Sequence, residues 1–220
     1  MADTTCLTEV YTLDEAIECI QAQKPIIYTL NGPSAESREF IKTLAHKYLE
    51  QINKEKFYDL LGLCLEEVIS NCVKANIKRA YFLSNELDIS NPDEYALGMK
   101  NFKEGGLAYA KDMDVVKQVH SLGLYVKLSF KIENDVFFIT AHNNSVISDI
   151  EIERINKKLK LSDNQTPEEM FMHSIDTTEG AGLGIIMITK ILSQISANKD
   201  CFSIKATETE TITELKIYKD

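Results

Sequence analysis

The sequence predicts an α+β protein: a two-layer α/β sandwich in which one mixed, mostly antiparallel sheet carries helices on one face. Three observations predict it. A long stretch with helical apolar periodicity runs from about Phe57 to Phe82, and its apolar face needs a sheet to cover it. Two runs of alternating apolar and polar residues, "LYVKLSFKI" and "DVFFITAH", meet at "EN" and read as a hairpin. A second hairpin, "CFSIKATE" and "TITELKIYKD", closes the chain after further helical segments. Late hairpins flanked by helices give one sheet with its helices packed on one side.

In chain order, "LDEAIECIQAQ" reads as a short helix and "KPIIYTL" as a strand with β-branched and aromatic content. "NGPS" is a turn, and Ser34 or Ser37 can cap the helix "AESREFIKTLAHKYLEQI". On the long helix Leu61, Leu65, Val68, Ile69 and Cys72 fall on one face and are expected to pack on the sheet. The stretch "LSNELDISNPDEYALGMKNFKEGG" breaks the helical pattern with polar residues, Pro92 and Gly105-Gly106, before "AKDMDVVKQVHSL" resumes it. After the first hairpin, "ISDIEIERINKKLKL" is an amphipathic helix, and residues 162–178 read as polar loop. "EGAGLGIIMITKIL" then opens a last helix that runs to about Ser193. The division that follows is a helical and strand extension over residues 1–54 and a main domain over 55–220, interrupted by an insertion at about 83–122. That insertion holds Tyr95, Leu97, Met99, Phe102, Leu107 and Tyr109, which could pack on the core or present a surface to a partner.

Composition narrows the function. A net charge of −10 over 220 residues argues against binding nucleic acid, which needs a basic footprint, and against docking on anionic lipid. The first residues, "MADTTCLTEVYTLDEA", lack a basic segment followed by an apolar one, and no apolar run approaches the roughly 18 residues of a membrane span. Cys6, Cys19, Cys64, Cys72 and Cys201 are odd in number and form no CxxC pair, which fits reduced thiols in a cytoplasmic protein.

Two stretches carry chemistry. On the long helix, Glu67, Asn71 and Lys74 stand at i, i+4 and i+7, within an arc of roughly 60° beside the apolar face. Asn71 can give a carbonyl oxygen to Mg²⁺, Lys74 can neutralise phosphate, and Glu67 can orient or deprotonate an attacking group. The same spacing also suits a solvated Glu/Lys face. In "EGAGLGIIMITKIL", Gly180, Gly182 and Gly184 permit close backbone approach, and the helix from Leu183 points its free N–H groups at them, an arrangement that receives anions. The chain has no GxxxxGK[ST] P-loop, and no G-x-G-x-x-G follows a strand.

The pair "EEVISNCVKA" and "EGAGLGIIMITKIL", separated by a sheet hairpin, resembles the N box and second glycine box of the GHKL superfamily. This group of histidine-kinase-like ATPases holds ATP in the Bergerat fold, and the resemblance covers roughly residues 55–218. It implies that Asn71 is the Mg²⁺ ligand, that Glu67 is the acidic catalytic residue and that Lys74 is a phosphate neighbour. Gly180, Gly182, Leu183 and Gly184 would cradle the phosphates of ATP, with Thr178 (beside Thr177) donating a hydroxyl. The family's first glycine box, D-x-G-x-G, maps onto "NNSVIS": Asn143 takes the place of the Asp that meets adenine, and Ser145 and Ile147 take the glycine places. The expected lid, about 161–178, carries Asp163, Glu168, Glu169 and Asp176 with His173 as its one candidate cation, while Lys157, Lys158 and Lys160 lie just upstream. His46 sits on a helix but is followed by Lys47, unlike a phospho-acceptor histidine, and His120 and His142 read as structural.

Two functions follow. One is a cytoplasmic Mg-ATP-binding enzyme, a stand-alone protein kinase or ATPase in signal transduction. The other is a binding module on the same fold that has lost turnover and acts on a protein partner. The N-terminal helices could also support a homodimer.

Overall fold

The computed structural model describes residues 7–30, 34–109, 113–162, 183–196 and 200–219. The chain builds a six-stranded mixed sheet with helices packed on it, an α+β sandwich. Strand β1 (Thr8–Glu9) runs parallel to β2 (Ile26–Thr29), with helix α1 (Leu13–Gln21) between them. The start of α1 is fixed by a capping box: the Thr12 hydroxyl accepts from the Glu15 N–H while the Glu15 carboxylate accepts from the Thr12 N–H. Helix α2 (Ala35–Gln51) is capped by Ser34, whose hydroxyl accepts from the Ser37 N–H at 3.1 Å. A 3₁₀ turn, Glu55–Phe57, leads into the central helix α3 (Tyr58–Ser84).

Then come α4 (Pro92–Tyr109), α5 (Met113–Ser121), the hairpin β3 (Val126–Glu133) and β4 (Val136–Asn143), α6 (Asp149–Ser162), α7 (Leu183–Ile195), and the hairpin β5 (Phe202–Ala206) and β6 (Thr211–Tyr218). The sheet order is β1-β2-β3-β4-β6-β5, with every described pair but the first antiparallel. The first hairpin turns on Asn134 and Asp135, one position later than "EN". Both have positive φ (51° and 59°), as a two-residue type I′ turn demands, and Asn and Asp tolerate that region best among residues with a side chain.

Helix α4 corrects the expected break. Asn91 caps it, its side-chain oxygen accepting from the N–H groups of Asp93 and Glu94, and Pro92 occupies the first helical position, where its missing N–H costs nothing. Tyr95, Met99 and Phe102, spaced i, i+4 and i+7, pack with Tyr81 and Phe82 of α3. That packing outweighs the roughly 1 kcal/mol that each of Gly105 and Gly106 costs a helix. Gly98 lets the two helices touch: a β-carbon there would lie 2.5 Å from the Phe82 ring.

Besides that smaller cluster, the main core runs between the sheet and the helices, and the first 54 residues supply part of it. Ala16, Ile26, Ile41 and Leu44 are buried in the same cluster as Leu65, Phe130, Phe137 and Leu215. Tyr48 stacks on Phe137 at 4.8 Å between ring centres and donates its hydroxyl to the Phe130 carbonyl. Lys54, only 2% exposed, crosses this core to donate its ammonium to the Ile195 carbonyl at 2.8 Å. A buried cation is thus held at the C-terminus of α7, where the helix dipole favours positive charge. Among the described residues no helix is long and apolar enough to cross a membrane.

Candidate functional site

Along β4 burial alternates strictly, so Phe137, Ile139, Ala141 and Asn143 all face the helices. The first three are apolar and the last is an amide. On the neighbouring β6 the same face runs from Ile217 and Leu215 to Thr213 and Thr211. At this end of the sheet the core therefore changes from apolar to polar, and there the layers enclose a cavity of about 250 Å³.

Its floor is α3. Val68, Asn71, Cys72, Ala75, Lys78 and Arg79 form one stripe at helical spacing and line the cavity. Opposite them stand Asn143, Ser145 and Ile147 at the end of β4, Ile185 and Ile188 from α7, and Phe202, Ile204, Thr211 and Thr213 from the last hairpin. Helix α6 contributes Glu151, Arg154 and Ile155, and α4 contributes Tyr95. A mainly apolar wall with a few convergent polar groups is the usual make-up of a small-molecule site, although this one lies just below the common range of roughly 300–1,000 Å³.

Asn143 is 2% exposed and already engaged. Its amide donates to the Cys72 carbonyl at 2.9 Å, and its oxygen accepts from the Ser145 N–H at 3.0 Å. Ser145 in turn donates to the Ala75 carbonyl at 3.4 Å. The loop after β4 is thereby bound to the backbone of α3. The Asn143 amide also hydrogen-bonds the Cys72 thiol. Burial pushes the Cys72 thiol up to about 12, so it behaves as an inert part of the wall.

Glu67 lies just outside this lining, half-buried against the first turn of α7. A β-carbon built on Gly184 would fall 2.5 Å from Glu67 Cγ and closer still to its carboxylate, so glycine here is what lets Glu67 keep this position. Leu183 is the first residue of α7. Lys74 is exposed and does not line the cavity. The structure thus brings Asn71, Asn143 and Ser145 into one cavity, sets Glu67 and Gly184 in contact beside it, and leaves Lys74 at the surface. Thr177, Thr178, Gly180 and Gly182, and the lid residues Asp163, Glu168, Glu169, His173 and Asp176, lie outside the described residues. Lys157 is exposed on α6. His46 contacts Tyr58 and Glu50, His142 pairs with Glu210 at 3.2 Å, and His120 is exposed.

The sequence reading missed a charged cluster at the α6 end. Glu151 accepts from Lys78, and from Arg79 Nη2 at 2.7 Å, and also caps α6 by accepting from the Ser148 N–H at 2.9 Å. Burial tends to raise its carboxyl, but the adjacent Lys78 and Arg79 charges and their hydrogen bonds win and hold it at about 2. Arg79 Nη2 also donates to the Val146 carbonyl, while Arg79 Nη1 is buried with no partner among the described residues. Arg154 lies 4.8 Å above the Tyr95 ring and donates to its hydroxyl at 3.3 Å. One sequence signal existed: Ser148-x-x-Glu151 has the spacing of a capping box. The meeting of Glu151 with residues 72 and 73 positions earlier had none.

No protein-family model matches the chain. An uncharacterized protein of Treponema pallidum (strain Nichols) is 30% identical over 218 residues, which is 99% of this chain and 42% of that protein. The chain therefore spans less than half the length of that relative. The crystal structure of the SiaB-SiaC complex from Pseudomonas aeruginosa aligns over 94% of this chain and 98% of its own, at 13% identity and a TM-score of 0.43, a likeness too weak to carry a functional argument.

Proposed function

We propose that the cavity binds a nucleotide, with Mg-ATP as the ligand, and that the chain is a histidine-kinase-like ATPase module acting as a protein kinase or ATPase toward a protein partner. The observation that carries this reading is the convergence of Asn71, Asn143 and Ser145. They come from two distant stretches, were singled out together by the GHKL resemblance, and line one cavity between α3 and the polar end of the sheet. The donor set suits Mg²⁺, which keeps most of its waters and takes one or two protein oxygens besides phosphate. Asn71 would hold the ion, and Glu67, one helical turn away, would orient or deprotonate the attacking group. Bound Mg²⁺ would supply neutralisation of phosphate charge. The contact of Glu67 with Gly184 sets that carboxylate at the opening of α7, where the resemblance puts the phosphates.

Calorimetric titration with a non-hydrolysable ATP analogue, with and without Mg²⁺, tests this. Saturable Mg-dependent binding that is lost in Asn71→Ala and weaker for GTP is the expected outcome. Absence of binding at millimolar nucleotide refutes it. A second reading, a binding module without turnover, is favoured by the commitment of Asn143 to Cys72 and Ser145 and by the surface position of Lys74. It predicts partner binding that survives Asn71→Ala, with no phosphoryl release or transfer.

A further inference from the structure

The cavity has two chemically different ends. Asn71 and Arg79 both line it and stand eight positions apart on one continuous helix, so about 12 Å separates them along the axis. The Asn71 end is a neutral amide with the Glu67 carboxylate beyond it. At the other end Lys78 and Arg79 pair with a single carboxylate, Glu151, and Arg154 lies over the Tyr95 ring, so that three cations and one anion line this end. Lys78 and Arg79 are not loose surface groups, their side chains being 17% and 12% exposed, whereas Arg154 is exposed at the rim and held over Tyr95.

Glu151 has little left to give. One oxygen is taken by Lys78, and the other by Arg79 and by the Ser148 N–H and hydroxyl. Among the described residues Arg79 Nη1 nevertheless remains buried without an acceptor. A buried charged donor without a partner is costly, and an acceptor arriving from the cavity removes that cost.

We infer that the Lys78, Arg79 and Arg154 end of the cavity is an oxyanion subsite that takes a phosphoryl group, separate from the Asn71 end. A phosphate monoester carries about −1.5 to −2 at neutral pH, which suits a lining where a buried guanidinium and a lysine share one carboxylate. Its several oxygens suit a guanidinium fork beside a lysine point charge. Tyr95, carried by the 83–122 insertion, walls the subsite and holds Arg154 in place. The inference does not depend on the nucleotide reading.

The test is titration of the full chain with inorganic phosphate, and separately with adenosine 5′-monophosphate and adenosine 3′,5′-bisphosphate. Inorganic phosphate should bind the unaltered chain at millimolar concentration, at least about tenfold more weakly to Arg79→Gln and Arg154→Gln, and equally well to Asn71→Ala. Arg154→Gln leaves both cations on Glu151 and so remains informative if Arg79→Gln fails to fold. A preference for the bisphosphate over the monophosphate that disappears in Arg154→Gln assigns the phosphoryl group to a larger ligand. Binding of inorganic phosphate without that preference assigns it to the free anion. The inference is overturned if phosphate does not bind, or if binding is indifferent to both arginine variants or lost in Asn71→Ala. Because Asn71→Ala removes Mg-nucleotide binding under the proposed function, the two readings fail separately.

Discussion

At the scale of single residues, the contact of Glu67 with Gly184 ties a candidate catalytic carboxylate to the one described glycine of the second glycine-rich motif. Gly184→Ala forces the two helices apart or drives Glu67 from its place. The expected cost is about 1–3 kcal/mol of stability, as for other overpacked sites. Urea unfolding of Gly184→Ala, Glu67→Ala and the double variant checks it: removing Glu67 should recover most of the loss, a coupling that independent sites would not show. Glu151 gives a prediction in pH. Its carboxyl falls from 4.5 to about 2 on folding, so the folded state binds its proton less readily than the unfolded chain. The resulting stabilisation, on the order of 3 kcal/mol, is fully present above about pH 4.5 and is lost as pH falls through about 2. Glu151→Gln should lower stability at neutral pH and flatten the acid limb of the stability profile.

At the scale of elements, periodicity located most of the helices and strands because their faces are covered by neighbours close in sequence or by one sheet. Helix α4 was not legible in that way. Its Pro92 and paired glycines look like breakers until Asn91 is seen to cap it and Tyr95, Met99 and Phe102 to lie on Tyr81 and Phe82. The site shows the same division. Asn71, Asn143 and Ser145 were legible because each belongs to a local motif. Arg79, Arg154 and Tyr95 were not, since they acquire meaning only when α4 and α6 fold over α3. Tyr95→Ala should cost about 3–5 kcal/mol, the usual cost of deleting a buried aromatic ring. Hydrogen exchange should speed up in α4 while the β3–β4 hairpin keeps its protection, which mass spectrometry can read segment by segment.

At the scale of the whole molecule, the sandwich with one mixed, mostly antiparallel sheet is the architecture expected from the hairpins and the long helix. The parallel β1–β2 pair was not foreseen, because a two-residue strand carries no periodicity. Nor did the sequence reveal that Lys54 would be among the most buried side chains, since a lysine in a polar run is ordinarily solvated. Lys54→Met keeps the stem and removes the charge. It leaves the Ile195 carbonyl without this donor and should cost about 1–3 kcal/mol in equilibrium unfolding.

That same lysine sets an order of events. Its partner carbonyl lies 141 residues further along the chain, so this bond cannot form until α7 has formed and docked. Closing so long a loop is slow, and a contact of that span belongs to the late steps of folding. In stopped-flow kinetics Lys54→Met should accordingly leave the refolding rate almost unchanged and accelerate unfolding. The bond then acts as a latch, set last and released first, that governs how long the assembled molecule survives.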